Sequence, residues 1–214
     1  MKKILIAVPT FESIYPDVFK AIYELHKPED CELYFDFIRG YDCAAARNRI
    51  VKTAKERKAD YILMIDNDVI VKPETLLWFM EDEADVCLGY YPHRDADNVY
   101  RGRMCVCKLE NEKGERYFHY PAESEYTADD MKELRESGNY KIQIHGGGMG
   151  CAFINTKIFD LMNYPWYYWV NYDDGNVLSE DLYFCEQCKR LQIPIYTDSR
   201  IECGHFFRYI QNCR

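Results

Sequence analysis

The sequence predicts an α/β fold in which helices cover both faces of a mostly parallel central sheet. Apolar runs of strand length alternate with segments of helical periodicity through residues 1–90, the order that builds parallel sheets. The run Tyr61–Ile65 is apolar throughout, as expected of a strand covered on both faces. The 214 residues can bury one substantial core but are too few for two comfortable domains. We therefore predict one domain over residues 1–214, with halves at 1–90 and 91–214.

The first half is predicted to run β-α-β-α-β-α-β, and each element has a local cause. Pro9 stops the first strand, Pro28 follows the first helix, and Gly40 breaks the alternating second strand. High helix propensity and a cationic last turn favour the second helix, and Pro73 suits the first turn of the third. The predicted segments are Lys3–Pro9, Pro16–His26, Cys31–Ile38, Cys43–Ala59, Tyr61–Ile65, Pro73–Glu83 and Asp85–Tyr90.

The middle of the chain, within residues 92–140, is less regular and is predicted to be an insertion. Met104–Leu109 and Arg116–Tyr120 are predicted to form a hairpin around "ENEKGE". A short helix should follow, with Thr127 as its N-cap and Gly138 just past its end.

Composition and charge exclude several classes of protein. The net charge of −9 provides no basic field for general nucleic-acid binding. The N-terminal apolar run is too short for a signal peptide, and no apolar window is long enough to span a membrane. The sequence therefore predicts a cytoplasmic protein without a transmembrane segment.

The ten cysteines leave one metal-binding alternative open. Cys185 and Cys188, with Cys203 and His205 farther along, have a spacing that can bind zinc. However, the first pair lies in "SEDLYFCEQCKRLQ", which predicts a helix rather than the tight turn of a zinc knuckle. Without a secretion signal, a disulfide framework is not expected.

Two carboxylates, Asp66 and Asp68, follow the buried strand Tyr61–Ile65 directly. Charges at the end of a buried strand need a cation or a polar ligand to compensate them. Carboxylate pairs of this kind hold Mg²⁺ or Mn²⁺ and leave coordination sites open for phosphate oxygens. The alternative is a turn in which the Asp and Asn side chains hydrogen-bond to nearby backbone.

Two further motifs follow in the second half. The run Gly146–Gly148, with Gly150 beyond it, lets a backbone approach a ligand closely, although it matches neither common nucleotide-binding fingerprint. Ser179 is a predicted N-cap, and Glu180 with Asp181 lies in the first turn of the helix it begins, where carboxylates also complement the helix dipole.

Taken in order, these motifs resemble a compact glycosyltransferase of the GT-A fold, similar to family 2. "AVPTF", "AAARNRI" and "DYILMIDNDV" are similar to its nucleotide-binding half. "GGGMGCAFINTKIF" and "SEDLYFCEQCKRLQIPIYTDSRIECGHF" are similar to its acceptor half. The resemblance covers residues 1–90 and 142–207.

The resemblance implies a metal-dependent transfer of a sugar from a nucleotide sugar, with a UDP-sugar favoured. Asp68 would bind Mn²⁺ or Mg²⁺, Asp66 would reach the ribose or the metal, and His205 would be a further metal ligand or diphosphate contact. Asp181 would be the catalytic base of an inverting reaction, with Glu180 next in line. The residues implied to contact the donor are Pro9, Thr10, Arg47, Asp66, Asn67, Gly147 and Gly148.

The sequence also departs from the family pattern. The acidic turn after the second strand is missing, which leaves Asp36 or Asp42 as substitutes for the base contact. The aromatic segment Tyr164–Gly175 suits either an acceptor platform or a core cluster. The acceptor, whether glycan, lipid, protein or nucleobase, is not identified. A silent GT-A domain, a zinc-stabilised binding domain and a nucleotidyltransferase remain alternatives, although "VPTFESIYP" lacks the Gly-rich, Lys-containing loop of the last class.

Overall fold

A computed structural model describes residues 1–11, 13–93, 103–108 and 125–206. In chain order the strands are β1 (Lys2–Thr10), β2 (Cys31–Arg39), β3 (Tyr61–Ile65), β4 (Val69–Ile70), β5 (Val86–Tyr90), β6 (Arg103–Cys107), β7 (Glu125–Thr127), β8 (Lys141–Ile144), β9 (Gly146–Gly147), β10 (Cys151–Asn155), β11 (Val170–Asn171), β12 (Val177–Leu178), β13 (Ile195–Glu202) and β14 (Gly204–His205). The helices are α1 (Pro16–Tyr23), α2 (Cys43–Glu56), α3 (Thr75–Glu81), α4 (Ala128–Glu136) and α5 (Glu180–Arg190), with a 3-10 turn at Thr156–Asp160.

Seven strands form the central sheet in the order β2-β1-β3-β10-β5-β13-β8. β1 pairs in parallel with β2 and β3, and β5 pairs in parallel with β13. β10 lies antiparallel between β3 and β5, and β8 is antiparallel to β13. Five of the seven strands therefore point the same way, and the predicted mostly parallel α/β sheet is confirmed.

Each face of the sheet carries its own apolar core, and the continuous apolar strands supply both. In β3, Ile62 and Met64 belong to the cluster beneath α2 and α5, whereas Leu63 and Ile65 belong to the cluster beneath α1 and α3. Adjacent side chains of a strand point to opposite faces, so a strand covered twice must be apolar at every position. The uninterrupted run Tyr61–Ile65 is explained in this way.

The described residues include only the first arm of the predicted hairpin. β6 is a strand as predicted, but its antiparallel partners are β7 and the glycine strand β9. Leu109 and Arg116–Tyr120, the other parts of the predicted hairpin, lie outside the described residues. The following helix α4 begins as predicted: Thr127 and Asp130 form a reciprocal capping box, and Gly138 has a positive φ just past its end.

The aromatic segment after the 3-10 turn is divided between core and surface. Trp166 and Tyr167 are buried, whereas Tyr164, Tyr168 and Trp169 are exposed. The buried pair is held by Asn48 of α2, whose Oδ1 accepts hydrogen bonds from both backbone N–H groups. Asn48 Nδ2 donates to the carbonyls of Ala44 and Tyr167, so the buried amide uses its full hydrogen-bonding capacity.

We expect Asn48→Ala to lower the free energy of unfolding by about 3 kcal/mol, because it leaves buried N–H and C=O groups without partners. Chemical denaturation of the two proteins measures this difference. Asn176→Ala is the matched control, since among the described residues this exposed amide pairs within its own turn with Asp174, and it should cost less than about 1 kcal/mol. Equal losses in the two variants would contradict the anchoring role of Asn48.

Among the described residues, the helices are all too short or too polar to cross a membrane.

Candidate active site

A cavity of about 560 Å³ opens at the carboxyl ends of the central strands. This is the edge at which sheets of this type bind ligands. Its walls come from the end of β1, the loop from β2 into α2, the turn after β3, the end of β5, and β14. The lining residues are Pro9, Thr10, Phe11, Gly40, Tyr41, Asp42, Cys43, Ala46, Asp66, Asn67, Asp68, Tyr91, His93 and His205.

Directly behind the cavity, the buried guanidinium of Arg47 joins three parts of the chain. Arg47 is 2 % exposed; its Nη2 donates to Asp66 Oδ2 at 3.0 Å, and its Nη1 donates to the Met149 carbonyl at 3.2 Å. Its Nε donates to Glu180 Oε1 at 3.3 Å. Burial alone would lower the pKa of Arg47, but Asp66 and Glu180 raise it well above its ordinary value. Arg47 does not line the cavity; it fixes the strand end, the glycine run and the start of α5 relative to one another.

Asp66 presents one oxygen to Arg47 and keeps the other for a different partner. Its Oδ1 is buried and has no hydrogen-bond partner among the described residues. A buried carboxylate oxygen without a partner is costly unless a cation or donor reaches it. Asp66 also lines the cavity, so a ligand there can supply that contact.

Asp68 and His205 face each other across the same part of the cavity. His205 Nδ1 lies 2.8 Å from the carbonyl oxygen of Pro92, which can only accept, so Nδ1 carries the proton. In the neutral ring the other nitrogen, Nε2, is an acceptor, and it lies 3.8 Å from Asp68 Oδ1. That separation is too long for a hydrogen bond, but ligands of one cation, each about 2.1 Å from it, are about 3–4 Å apart. A carbonyl that fixes the far ring nitrogen is the usual support of a metal-binding histidine.

These groups fit a divalent cation that a ligand helps to coordinate. The described residues contain no ready-made group of three His, Cys, Asp or Glu side chains around one point. Mg²⁺ and Mn²⁺ are often held by only one or two carboxylates, and phosphate oxygens complete the shell. Asp68, His205 and the unpartnered oxygen of Asp66 suit this arrangement.

The glycine run packs against Tyr91 rather than lining the cavity. A Cβ on Gly148 would lie 2.3 Å from the Tyr91 hydroxyl oxygen, and one on Gly150 would lie 2.7 Å from it. A Cβ on Gly147 would lie 2.5 Å from the Cys105 carbonyl of β6. The glycines therefore serve close packing, and the positive φ that the sequence allowed them does not occur here.

Tyr91 itself is part of the cavity wall. Its hydroxyl accepts a hydrogen bond from the Gly150 N–H at 2.8 Å, and its ring packs edge-on against His205 at 5.0 Å between centroids. Burial raises the pKa of Tyr91 well above its ordinary value, and the nearby charges of Asp66 and Asp181 raise it further. Tyr91 thus connects the glycine run to the histidine.

The two carboxylates at the start of α5 have different environments. Glu180 is buried and bound to Arg47, and burial raises its pKa despite that partner. Asp181 Oδ1 accepts from the Ser179 hydroxyl and from the Leu182 N–H. Ser179 is the N-cap by position as predicted, but its hydroxyl contacts Asp181 instead of a backbone N–H.

The remaining predicted residues are divided between the cavity and its surroundings. Pro9, Thr10 and Asn67 line the cavity, and Asn67 Nδ2 also donates to the Ser13 carbonyl. Of the two acidic substitutes, Asp42 lines the cavity, where its Oδ1 also caps α2 through the Ala45 N–H. Asp36 lies on β2, where it is bound to Arg57, and it does not line the cavity.

Sequence reasoning missed seven residues of the cavity wall. Gly40, Cys43 and Ala46 lie in the loop before α2 and in its first turn, and the other four are Phe11, Tyr41, Tyr91 and His93. Each of these four lies within three residues of the end of a strand that leads into the cavity, and that position was the available signal. Their residue types formed no motif. His93 is also held by a buried partner, with Nε2 2.9 Å from Glu125 Oε1.

The zinc alternative is wrong for the described residues. Cys185 and Cys188 of α5 are buried in the core on one face of the sheet, and Cys203 is buried in the core on the other. The sheet separates the first two sulfurs from the third. These sulfurs therefore cannot share one cation.

Comparison with solved structures identifies the fold. A197 from STIV matches with a TM-score of 0.59 and 18% identity over 97% of this chain and 87% of that chain. GalNAc-T7, solved with UDP, GalNAc and Mn²⁺, matches with a TM-score of 0.59 and 10% identity over 98% of this chain and 44% of that chain. The chain has the GT-A fold. S. aureus TarS 1-349, solved with UDP-GlcNAc, matches with a TM-score of 0.49 and 13% identity over all of this chain and 61% of that chain. No protein-family model and no curated protein matches the sequence.

Arg47 connects residues 1–90 with residues 91–214, the two halves predicted from the sequence. Its own helix α2 and Asp66 belong to the first half, whereas Met149 and Glu180 belong to the second. The Asp66–Asp68 turn and the start of α5 are therefore held in one fixed geometry, although Glu180 and Asp181 do not line the cavity themselves.

Proposed function

We propose that the chain is a metal-dependent glycosyltransferase that transfers a sugar from a nucleotide sugar to an acceptor hydroxyl. The observation that carries this proposal is the donor set around the cavity. Asp66 has a buried oxygen without a partner among the described residues, and Asp68 faces Nε2 of His205. The GT-A fold is the context in which such a set binds a sugar diphosphate, and GalNAc-T7 was solved with UDP and Mn²⁺.

The charges of the cavity wall support a cation together with an anionic ligand. Asp42, Asp66 and Asp68 line the cavity, and its described lining includes no Lys or Arg. A diphosphate alone would be repelled by these carboxylates. With Mn²⁺ or Mg²⁺ held by Asp68, His205 and Asp66, the diphosphate oxygens would complete the coordination.

The reaction needs stabilisation of a charged leaving group and removal of one proton. A bound divalent cation would stabilise the negative charge that develops on the departing nucleoside diphosphate. Asp181 is the proposed base, which takes the proton of the acceptor hydroxyl as the oxygen attacks the anomeric carbon. Glu180 is less suited to this role because its carboxylate is buried and bound to Arg47. Attack from the face opposite the leaving group would invert the configuration.

The donor base would bind at the outer end of the cavity, near Pro9, Thr10 and Asp42. A UDP-sugar is the favoured donor, and the exposed rings of Phe11 and Tyr41 at this end could stack on a base. Asn67 would help to orient the ribose and diphosphate. Gly147 and Gly148 would act through Tyr91 and β6, which they contact, on the donor side of the site.

A thermal-shift panel tests the proposal. UDP, GDP, CDP and ADP are each added with Mn²⁺ and with EDTA. We expect one nucleotide to stabilise the protein only when Mn²⁺ is present. At about 100 times Kd the gain is about 2.7 kcal/mol, which raises Tm by about 5–10 °C for a chain of this size. A folded protein that no nucleotide stabilises, with or without Mn²⁺, would refute the proposal. Metal-dependent hydrolysis of the matching nucleotide sugar would then separate an active enzyme from a silent GT-A domain.

A further inference from the structure

One edge of the central sheet is long, regular and open. β2 has nine residues and pairs with β1 along its whole length without a register shift. Its other edge has no partner strand among the described residues. Such an edge presents a row of backbone N–H and C=O groups that can pair with another strand.

The opposite edge of the same sheet is protected, and β2 is not. β8 has only four residues and begins with Lys141, two features that discourage edge-to-edge pairing. β2 contains no Pro, no Lys and no bulge, and its charged side chains are Glu32, Asp36 and Arg39. The sheet thus has one edge that resists association and one that permits it.

The open edge also carries an aromatic patch, formed by Phe19, Phe35 and Phe37. Phe35 and Phe37 lie on the face of β2 that α1 only partly covers, and they are 39% and 40% exposed. Phe35 packs edge-on against Phe37 at 4.8 Å between centroids, and Phe19 of α1 stacks on Phe37 at 6.5 Å. Aromatic cross-strand pairs are among those that stabilise sheets most.

On the other face of β2 the carboxylate closest to the middle of the strand is already compensated. Asp36 Oδ2 accepts from Arg57 Nη2 at 2.7 Å, and the Arg57 guanidinium also lies over the Tyr34 ring at 5.8 Å. An incoming strand would therefore meet an ion pair and not an isolated negative charge.

We infer that this edge is a homodimer interface, in which β2 pairs antiparallel with β2 of a second copy about a two-fold axis at Phe35. The two seven-stranded sheets then join into one continuous sheet. In a pair related by an axis perpendicular to the sheet, opposed residues lie on the same face. Side chains alternate between the two faces along a strand. An odd-numbered residue can therefore oppose only an odd-numbered one, and an even-numbered residue only an even-numbered one.

Charge and length choose among the allowed registers. Centring the pair on Phe35 pairs all nine residues and opposes no two carboxylates. A pair centred on Tyr34 would place Glu32 opposite Asp36 of the second copy. A pair centred on Asp36 would place the two copies of Asp36 opposite each other. Both registers are repulsive because they oppose two carboxylates. In the chosen register the opposed pairs are Phe35 with Phe35, Tyr34 with Asp36, Leu33 with Phe37, Glu32 with Ile38, and Cys31 with Arg39.

Light scattering coupled to size-exclusion chromatography tests the dimer over a hundredfold range of protein concentration. We expect the mass to approach twice the 25.5 kDa of one chain as concentration rises. Phe35→Lys should keep the protein monomeric over this range, because it opposes two like charges at the axis. Leu161→Lys replaces an exposed apolar residue outside the patch, 64% exposed against 39% for Phe35, and should leave the dimer intact. A monomeric wild-type protein throughout, or a Phe35→Lys dimer, would overturn the inference.

A cross-linking pair tests the register without adding charge to the interface. Phe35→Cys and Phe37→Cys are made in a background in which serine replaces the exposed Cys43 and the C-terminal Cys213. At the axis, opposed Cβ atoms are about 5 Å apart, whereas two copies of residue 37 are separated by four residues, about 13 Å. A thiol cross-linker about 8 Å long, shorter than that four-residue separation, should join Phe35→Cys chains and not Phe37→Cys chains. The reverse pattern, or no cross-link at either position, would overturn the proposed pairing.

Discussion

Asp68→Asn should abolish the Mn²⁺-dependent stabilisation by the matching nucleoside diphosphate. The amide keeps the shape of the side chain but removes the charge that would hold the cation opposite His205. The affinity for Mn²⁺ should fall by at least about 100-fold, and donor hydrolysis by about 100- to 1,000-fold, because the leaving group loses its electrostatic stabilisation. Thermal shift with Mn²⁺ and nucleotide measures the first effect, and release of the nucleoside diphosphate measures the second.

Asp36→Asn is the matched control for this experiment. It makes the same chemical change on β2, where the carboxylate is bound to Arg57 and does not line the cavity. Nucleotide binding and hydrolysis should stay near the wild-type values. If Asp68→Asn bound the Mn²⁺–nucleotide pair as tightly as the control, Asp68 would not be a metal ligand.

Arg47→Met should lower the free energy of unfolding by about 3–5 kcal/mol, the loss expected when one partner of a buried ion pair is removed. For a chain of this size that corresponds to a fall in Tm of about 6–20 °C. The reason is that Asp66 and Glu180 lose the guanidinium that both contact, and the Met149 carbonyl loses a donor. Urea denaturation of both proteins gives the difference directly.

The pH dependence of the lost stability distinguishes removal of the buried ion pair from a simple packing defect. Burial already raises the pKa of Glu180 in the folded protein, and removal of Arg47 should raise it further. Between the ordinary pKa of the unfolded chain and this raised value, the folded protein binds more protons, so its stability falls as pH rises through that window. The loss caused by Arg47→Met should therefore be smaller near pH 4–5 than at pH 7 (about 4.3 is the ordinary pKa of Glu). The double variant Arg47→Met, Glu180→Gln should be more stable than Arg47→Met alone at pH 7.

Arg57→Met is the control for the charge change alone. Arg57 is 38% exposed and pairs with one carboxylate, Asp36, so its removal should cost less than about 1 kcal/mol. Similar losses at Arg47 and Arg57, or a loss at Arg47 that does not change with pH, would contradict the buried network.

Local patterns were enough to predict most of the first half of the fold. The continuous run Tyr61–Ile65 is a strand shared by two cores, and Thr127 and Gly138 bound α4 as their residue types predicted. These features depend on neighbours within a few residues, which a sequence displays directly. The position of the Asp66–Asp68 turn at the cavity follows from one further rule, that ligands bind at the carboxyl ends of strands.

Contacts between distant segments could not be predicted in the same way. Arg47 and Glu180 are 133 residues apart, and no local pattern of α2 distinguishes a buried ion-pair residue from the surface arginines around it. The close packing of Gly148 and Gly150 against Tyr91 is equally non-local, so the glycines suggested a ligand loop. The antiparallel insertion of β10 between β3 and β5 also depends on the tertiary arrangement.

The shared guanidinium of Arg47 has a consequence for how this site can change in evolution. Loss of Arg47 alone would leave Asp66 and Glu180 without their cation, and loss of either carboxylate would leave a buried guanidinium N–H without its acceptor. Related chains should therefore keep all three or replace them together, even where the donor or the acceptor has changed. Substitutions that broaden specificity should instead accumulate at Phe11, Tyr41 and His93, which line the cavity without belonging to that ion-pair network.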